Sequence, residues 1–279
     1  MTFPDFKKLI DQQYGVVELK IQGMGEPILG KDSYFKMIRY AREQRIWVRT
    51  VTNASLLHKS ENYKKIIDSD VNELQISIDG STKEVFEKIR DKSNFEKVVE
   101  NCSLVNCYAD SQGRQVTKMW TVVQGDNRHQ LMDLVTLAAK LKFPSMVFSL
   151  DLSDWGQDDW AFKNAPLKTN NITNEEGFNL IEQGKQLGVD VYFWYLDSKY
   201  STDSRKTLCP WPFERAYVSS DMRIVPCCMI ATPDVEDLGG AVDFSEEWNG
   251  AKYQQFRQRH IDGDLPAVCA SCYQPEKNK

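Results

Sequence analysis

Residues 16–30 read VVELKIQGMGEPILG. A run of strand-forming residues at 16–22 passes through Gly23-Met24-Gly25-Glu26-Pro27 into a segment with Tyr34, Phe35, Ile38 and Ala41 at helical spacing. Strand, glycine-rich turn and helix together make half of a crossover unit, and the chain repeats it. Asp32 is the expected N-cap of a helix reaching residue 44, and β-branched residues predict a strand at 46–52. Further pairs follow, each a helix and then a strand: 60–67 with 73–78, 95–108 with 116–123, 130–141 with 145–150, and 175–187 with 189–195. Upstream, residues 4–14 read as a helix that gathers Phe6, Leu9 and Ile10 on one face. Alternation of this kind builds a parallel sheet, and about six strands suit a barrel or a partly closed one. In such sheets ligands sit at the carboxyl ends of the strands. There the sequence places Gly25 and Glu26, then Thr52 and Asn53, then Ser77, Asp79 and Gly80, with Arg90 beyond a short helix.

The texture changes near residue 200. Pro, Trp, Asp and Cys become frequent and helical periodicity lapses until 252–259, so the expected domains are 1–199 and 200–279. Across 279 residues, 41% are hydrophobic and 27% charged, which excludes a disordered chain, and no apolar run is long enough to span a membrane. A net charge of -5 argues against a general grip on nucleic-acid phosphates. Because no export signal opens the sequence, a cytoplasmic location is expected, and the seven cysteines are read as thiols or metal ligands and not as disulfides.

Cys209, Cys227, Cys269 and Cys272 carry the strongest chemical signal. The last two form a C-x-x-C pair, and two intervening residues let both sulfurs turn to one centre. Four thiolates suit a structural zinc or an iron-sulfur cluster equally well on this ground. Cys228 competes with Cys227 for its place. Cys102 and Cys107 lie within a helix and read as core or surface thiols, and His58, His129 and His260 as surface residues. Asp151, Asp154, Trp155, Tyr195 and Asp197 follow the last two strands and are candidates for the substrate side of the rim. The aromatic stretch 154–160 reads as a loop that packs as a lid.

With these residues in view, the chain resembles the radical S-adenosylmethionine superfamily, in particular members with a C-terminal SPASM-type auxiliary-cluster domain. Gly23 to Pro27 is similar to the family's Gly-Gly-Glu-Pro motif with Met24 replacing a glycine. The C-terminal order of Cys209, Met222 in a glycine's place, Cys227, Glu247-Trp248-Asn249, Phe256-Arg257 and Cys269-Ala270-Ser271-Cys272 matches the domain. The resemblance implies a partial (β/α) barrel that lacks its first strand, followed by a small SPASM/twitch-like domain. It implies S-adenosylmethionine held by Gly25 and Glu26 at the amino end of its methionine moiety, by Asn53, Ser77 and Asp79 around the ribose and carboxylate, and by Arg90 on the carboxylate. It further implies an auxiliary 4Fe-4S cluster on Cys209, Cys227, Cys269 and Cys272, an electron donor such as flavodoxin or ferredoxin, and hydrogen abstraction from a peptide, sugar or small metabolite. The family's C-x-x-x-C-x-x-C group is not in this sequence. An incomplete catalyst is therefore expected, through truncation in preference to a partner-supplied loop or decay. The rival expectation is a non-catalytic binding or docking protein with a structural iron-sulfur or zinc site.

Overall fold

The computed structural model describes residues 1–23, 25–152, 154–169, 172–194 and 200–273. These residues form two compact units.

The larger unit, Gly15–Leu152 with Pro166–Trp194, is built on six strands. They are β1 (Glu18–Ile21), β2 (Trp47–Thr52), β3 (Glu73–Ser77), β4 (Thr117–Val122), β5 (Ser145–Ser149) and β6 (Asp190–Trp194), which lie side by side in sequence order, every pair parallel. Helices α2 (Lys31–Glu43), α3 (Asn62–Asp68), α5 (Phe95–Ser111), α6 (Leu131–Lys140) and α8 (Asn174–Leu187) supply the crossovers. A short helix, α4 (Lys83–Ile89), precedes α5. This is the open, sequentially wound sheet of a partial (β/α) barrel, and each strand lies within two residues of its expected place. One face of the sheet is covered: Val48, Leu74, Ile76, Met119, Met146 and Phe148 are buried. The opposite face carries Lys20, Arg49, Glu73, Lys118 and Trp120, as the period of two requires. Arg49 bridges Glu18 at 3.0 Å and Lys118 bridges Glu73 at 2.6 Å. Burial opposes ionisation of Glu73, but Lys118, Gln75 and Arg49 outweigh it and hold the carboxyl below its ordinary range.

Two local expectations are corrected. Helix α2 is entered through a tight turn at Pro27–Gly30, so Gly30 takes the N-cap and Asp32 falls in the first turn, where a carboxylate still suits the helix dipole. Residues 154–160 are not all loop, because Asp158–Asn164 forms a helix, α7.

The second unit comprises Met1–Tyr14, Ser153–Ala165 and Tyr195–Lys279 as far as these are described. Its elements are α1 (Phe3–Asp11), α7, α9 (Trp211–Glu214), α10 (Phe244–Trp248), α11 (Ala251–Asp262) and an antiparallel three-stranded sheet of β7 (Tyr217–Val218), β8 (Arg223–Val225) and β9 (Gly239–Gly240). Helix α1 starts on a capping box between Thr2 and Asp5, with Pro4 in its first turn. Its Leu9 enters a core with Ile224, Leu238, Phe244, Tyr253 and Phe256. Lys8 reaches Asp243 at 3.4 Å and Gln12 donates to the Val242 carbonyl at 3.0 Å. Met222, at the position where the family carries glycine, closes the β7–β8 turn with φ +63°. His260, expected at the surface, is fully buried. Its ring lies 4.9 Å from that of Phe256, and burial pushes its pKa down. Helical spacing from Tyr253 and Phe256 puts it on the inner face.

Candidate functional site

Two groups of residues carry the chemistry, one in each unit.

In the larger unit the carboxyl ends of β1, β2 and β3 form a polar rim. Glu26 leaves β1 through the turn and is fixed by its neighbour strand. Thr52 Oγ1 donates to Glu26 Oε1 at 2.7 Å and the Asn53 backbone N–H to Oε2 at 2.7 Å. The Asn53 side chain is turned on itself, its Oδ1 accepting from Ser55 N at 2.9 Å, and Ala54 follows with φ +61°. Ser77 closes β3 opposite Trp120 in register. Two residues on, the 4%-exposed Asp79 has both oxygens engaged. Oδ2 takes Arg90 Nε at 2.7 Å, and Oδ1 takes the Val122 N–H at 2.8 Å. The structure thus joins Glu26 to Asn53 and Asp79 to Arg90. Gly80 next to Asp79 is required: a Cβ there would lie 2.5 Å from the Phe86 nitrogen at the heart of α4, and α4 delivers Arg90 at its C-cap.

Sequence reasoning missed the group that fastens this loop. Asn127, fully buried, donates from Nδ2 to the carbonyls of Asp79 at 2.9 Å and Val122 at 2.8 Å. Gln130 Oε1 accepts from Ser81 N at 2.9 Å. The signal was present as Gly125-Asp126-Asn127, one more polar turn after a strand. Trp120 was missed too; its ring lies 6.0 Å from that of Trp194, with Lys20 Nζ 5.8 Å from its centre. Asp151 lies in this unit, one residue before the end of the described part of its loop. Asp154 and Trp155 belong to the other, where Asp154 accepts from Gly156 N at 3.0 Å and the Trp155 and Trp160 rings meet edge to face. Met24, Tyr195 and Asp197 lie outside the described residues.

The second group is the cysteines of the smaller unit. Cys209, Cys227, Cys269 and Cys272 are thiols outside any disulfide and are partly buried. Burial raises the Cys269 thiol, and Cys227, Cys209 and Cys272 raise it further. Burial pushes Cys227 up to about 12; Cys228 and Cys272 add to this, while the backbone N–H groups of Met229 and Ile230 donate to its sulfur and oppose it. Cys228 acts on Tyr217. Tyr273 accepts from the Cys209 N–H at 2.9 Å, and its hydroxyl is pushed up to about 12, chiefly by burial and then by Cys209, Cys269 and Cys272. The thiols oppose one another's ionisation, and a cationic centre bound among them would favour the thiolate forms. Among the described residues no three Cys, His, Asp or Glu side chains gather around the position of a single ion. Four thiols, two of them in a C-x-x-C pair, are a donor set that fits an iron-sulfur cluster.

The comparisons agree with this geometry. The sequence model of the radical SAM superfamily matches residues 3–138, and that of the SPASM iron-sulfur cluster-binding domain matches residues 209–273. Mycofactocin maturase MftC of Mycolicibacterium smegmatis is 30% identical over 141 residues, 50% of this chain and 34% of that protein. The uncharacterized protein MJ0804 of Methanocaldococcus jannaschii is 24% identical over 163 residues, 57% of this chain and 54% of its own. The chain thus spans about a third of the maturase it matches. Among solved structures, Streptococcus suis SuiB superposes with a TM-score of 0.70 at 14% identity, covering 99% of this chain and 70% of its own. The structure of anSMEcpe with bound AdoMet gives 0.62 at 16%, covering 99% and 78%. No helix among the described residues is long and apolar enough to cross a membrane. The two sequence models carry the assignment and the solved structures share the fold: the chain belongs to the radical SAM superfamily and carries a C-terminal SPASM-type domain.

Proposed function

We propose that the chain is the S-adenosylmethionine-binding and auxiliary-cluster part of a radical SAM modifying enzyme, with a peptide as substrate, and that alone it is an incomplete catalyst. The observation that carries this reading is the rim on which the carboxylate of Glu26 is locked by Thr52 and Asn53 at 2.7 Å each. Held this way, Glu26 presents a fixed negative charge to an ammonium group arriving at the β1 turn. Asp79 neutralises part of Arg90 and fixes it, so that the guanidinium is aimed before a ligand carboxylate meets it. Ser77 offers a hydroxyl at the end of β3. S-adenosylmethionine, given an electron, supplies the power to take a hydrogen atom from a substrate. Cys209, Cys227, Cys269 and Cys272 would hold one auxiliary 4Fe-4S cluster that anchors substrate or accepts an electron. A peptide substrate is in keeping with the maturase relative and with SuiB, one of whose structures is described as bound to the precursor peptide SuiA. No C-x-x-x-C-x-x-C group is present in the sequence, which supports the incomplete-catalyst part of the reading.

Anaerobic reconstitution with iron and sulfide tests it. The expected product carries about four irons and four sulfides per chain, as one such cluster requires. Cys269→Ala should lose them while the larger unit stays folded. Under strong reductant with S-adenosylmethionine, the chain alone should yield no 5'-deoxyadenosine, and a C-x-x-x-C-x-x-C segment added as an extension or a second chain should restore it. Absence of bound iron and sulfide overturns the auxiliary-cluster assignment; 5'-deoxyadenosine from the chain alone overturns the incompleteness.

A further inference from the structure

Helix α11 buries Tyr253, Phe256 and His260, and Arg257 follows Tyr253 by one turn. The Arg257 guanidinium lies 4.3 Å from the Trp248 ring and 4.6 Å from the Tyr253 ring. Two of its nitrogens are engaged, Nε with the Pro212 carbonyl at 2.7 Å and Nη1 with the Trp248 carbonyl at 2.8 Å. The third, Nη2, is buried with no hydrogen-bond partner among the described residues. Tyr253 is fully buried, and its hydroxyl is in the same condition.

Two orphaned donors one turn apart on a single helix call for an acceptor, since a buried polar group without one destabilises the fold. Arg257 has no acceptor capacity at all, so whatever meets it must accept. Among the cysteines, Cys269 packs against the core cluster that contains Tyr253. Pro212, which anchors Arg257, stands three positions after Cys209.

We propose that Tyr253 Oη and Arg257 Nη2 donate hydrogen bonds to sulfur atoms of the cluster held by Cys209, Cys227, Cys269 and Cys272, and thereby raise its reduction potential. The inference rests on the reading that those cysteines hold a cluster. Reduction adds one electron to the cluster and leaves the protons on Tyr253 and Arg257. Both hydrogen bonds strengthen as the sulfurs gain charge, so the reduced form is favoured. Tyr253 and Arg257 are positioning residues, because they act through the cluster and not on the substrate.

The test uses the reconstituted full chain with Tyr253→Phe, which keeps the ring and removes the hydroxyl. Iron and sulfide per chain should match the parent. In a redox titration followed by electron paramagnetic resonance, the reduced-to-oxidised ratio at a fixed potential should fall about tenfold, a downward shift of about 59 mV for a one-electron couple. Arg257→Lys keeps the cation but loses the forked nitrogen, and should shift the midpoint in the same direction. If Tyr253→Phe sheds its iron, Arg257→Lys alone decides. Unchanged midpoints in iron-replete variants overturn this inference and leave the cluster reading intact. A parent chain that binds neither iron nor sulfide removes the reading beneath it.

Discussion

Arg90 closes on one oxygen of Asp79 with two nitrogens, Nε at 2.7 Å and Nη2 at 2.6 Å, while the other oxygen takes the Val122 N–H at 2.8 Å. Opposite charges that the sequence places eleven residues apart therefore satisfy each other at the rim, and the carboxylate ties α4 to the end of β4.

Arg90→Ala leaves Asp79 buried with its charge uncompensated. Stability should fall by about 3 kcal/mol, the low end for breaking a buried pair, since the Arg90 side chain is 25% exposed. Urea unfolding of Arg90→Ala, Asp79→Ala and the double variant measures it. The double variant should lose well under the sum of the single losses, because either single change already breaks the pair.

Glu26→Ala removes the acceptor for the Asn53 N–H and the Thr52 hydroxyl. About 2 kcal/mol of stability should go with it, as for hydrogen bonds to a charged group, and Glu26→Gln should lose roughly half as much because one oxygen remains. Denaturant midpoints read the order. The proposed role of Glu26 toward an ammonium group also predicts weaker S-adenosylmethionine binding in both variants, checked by equilibrium dialysis.

Gly80→Ala forces a methyl group to within 2.5 Å of the Phe86 backbone nitrogen. The backbone of α4 has to give way, at about 1–3 kcal/mol for overpacking, and Arg90 moves with it. Hydrogen exchange at the Val122 amide should quicken in this variant more than at Val48, whose N–H is held by Asn72.

His260 gives a pH dependence of known sign. Burial lowers its folded pKa below the ordinary 6.5, so the neutral ring is the native form. Its contribution is complete above the unfolded pKa and is lost as pH falls from about 6.5 toward the lower folded value, with a slope of at most about 1.4 kcal/mol per pH unit. Thermal unfolding of the full chain between those pH values should show the slope, and His260→Phe should flatten it.

The six strands were legible because period-two and period-3.6 patterns alternate without interruption from 16 to 194. The rim was legible as a set of strand ends, since a parallel sheet puts them all on one edge. Which rim residues join was not. Asp79 and Arg90 meet only because α4 turns back over Gly80, and nothing in the spacing of two opposite charges states that. Tyr253 and His260 sit at core positions of an amphipathic helix, where the pattern reports burial and is blind to an unsatisfied hydroxyl or a depressed pKa. Met222 shows the converse. Its place in the cysteine order marks a turn, and the φ of +63° shows the left-handed backbone that glycine would take there at less cost.

Leu9 of α1 belongs to the same core as Phe256, and the bond between Gln12 and Val242 joins residues 230 positions apart. During translation this helix must therefore wait for partners 230 positions downstream, on the order of tens of seconds at ribosomal speeds of about 5–20 residues per second. Until then its greasy side is bare to water or to a chaperone. An excised carboxyl-terminal fragment would suffer the mirror-image problem, with the core face that takes Leu9 left uncovered; obtaining that unit in isolation takes residues 1–14 and 153–165 as well, joined to it by flexible tethers.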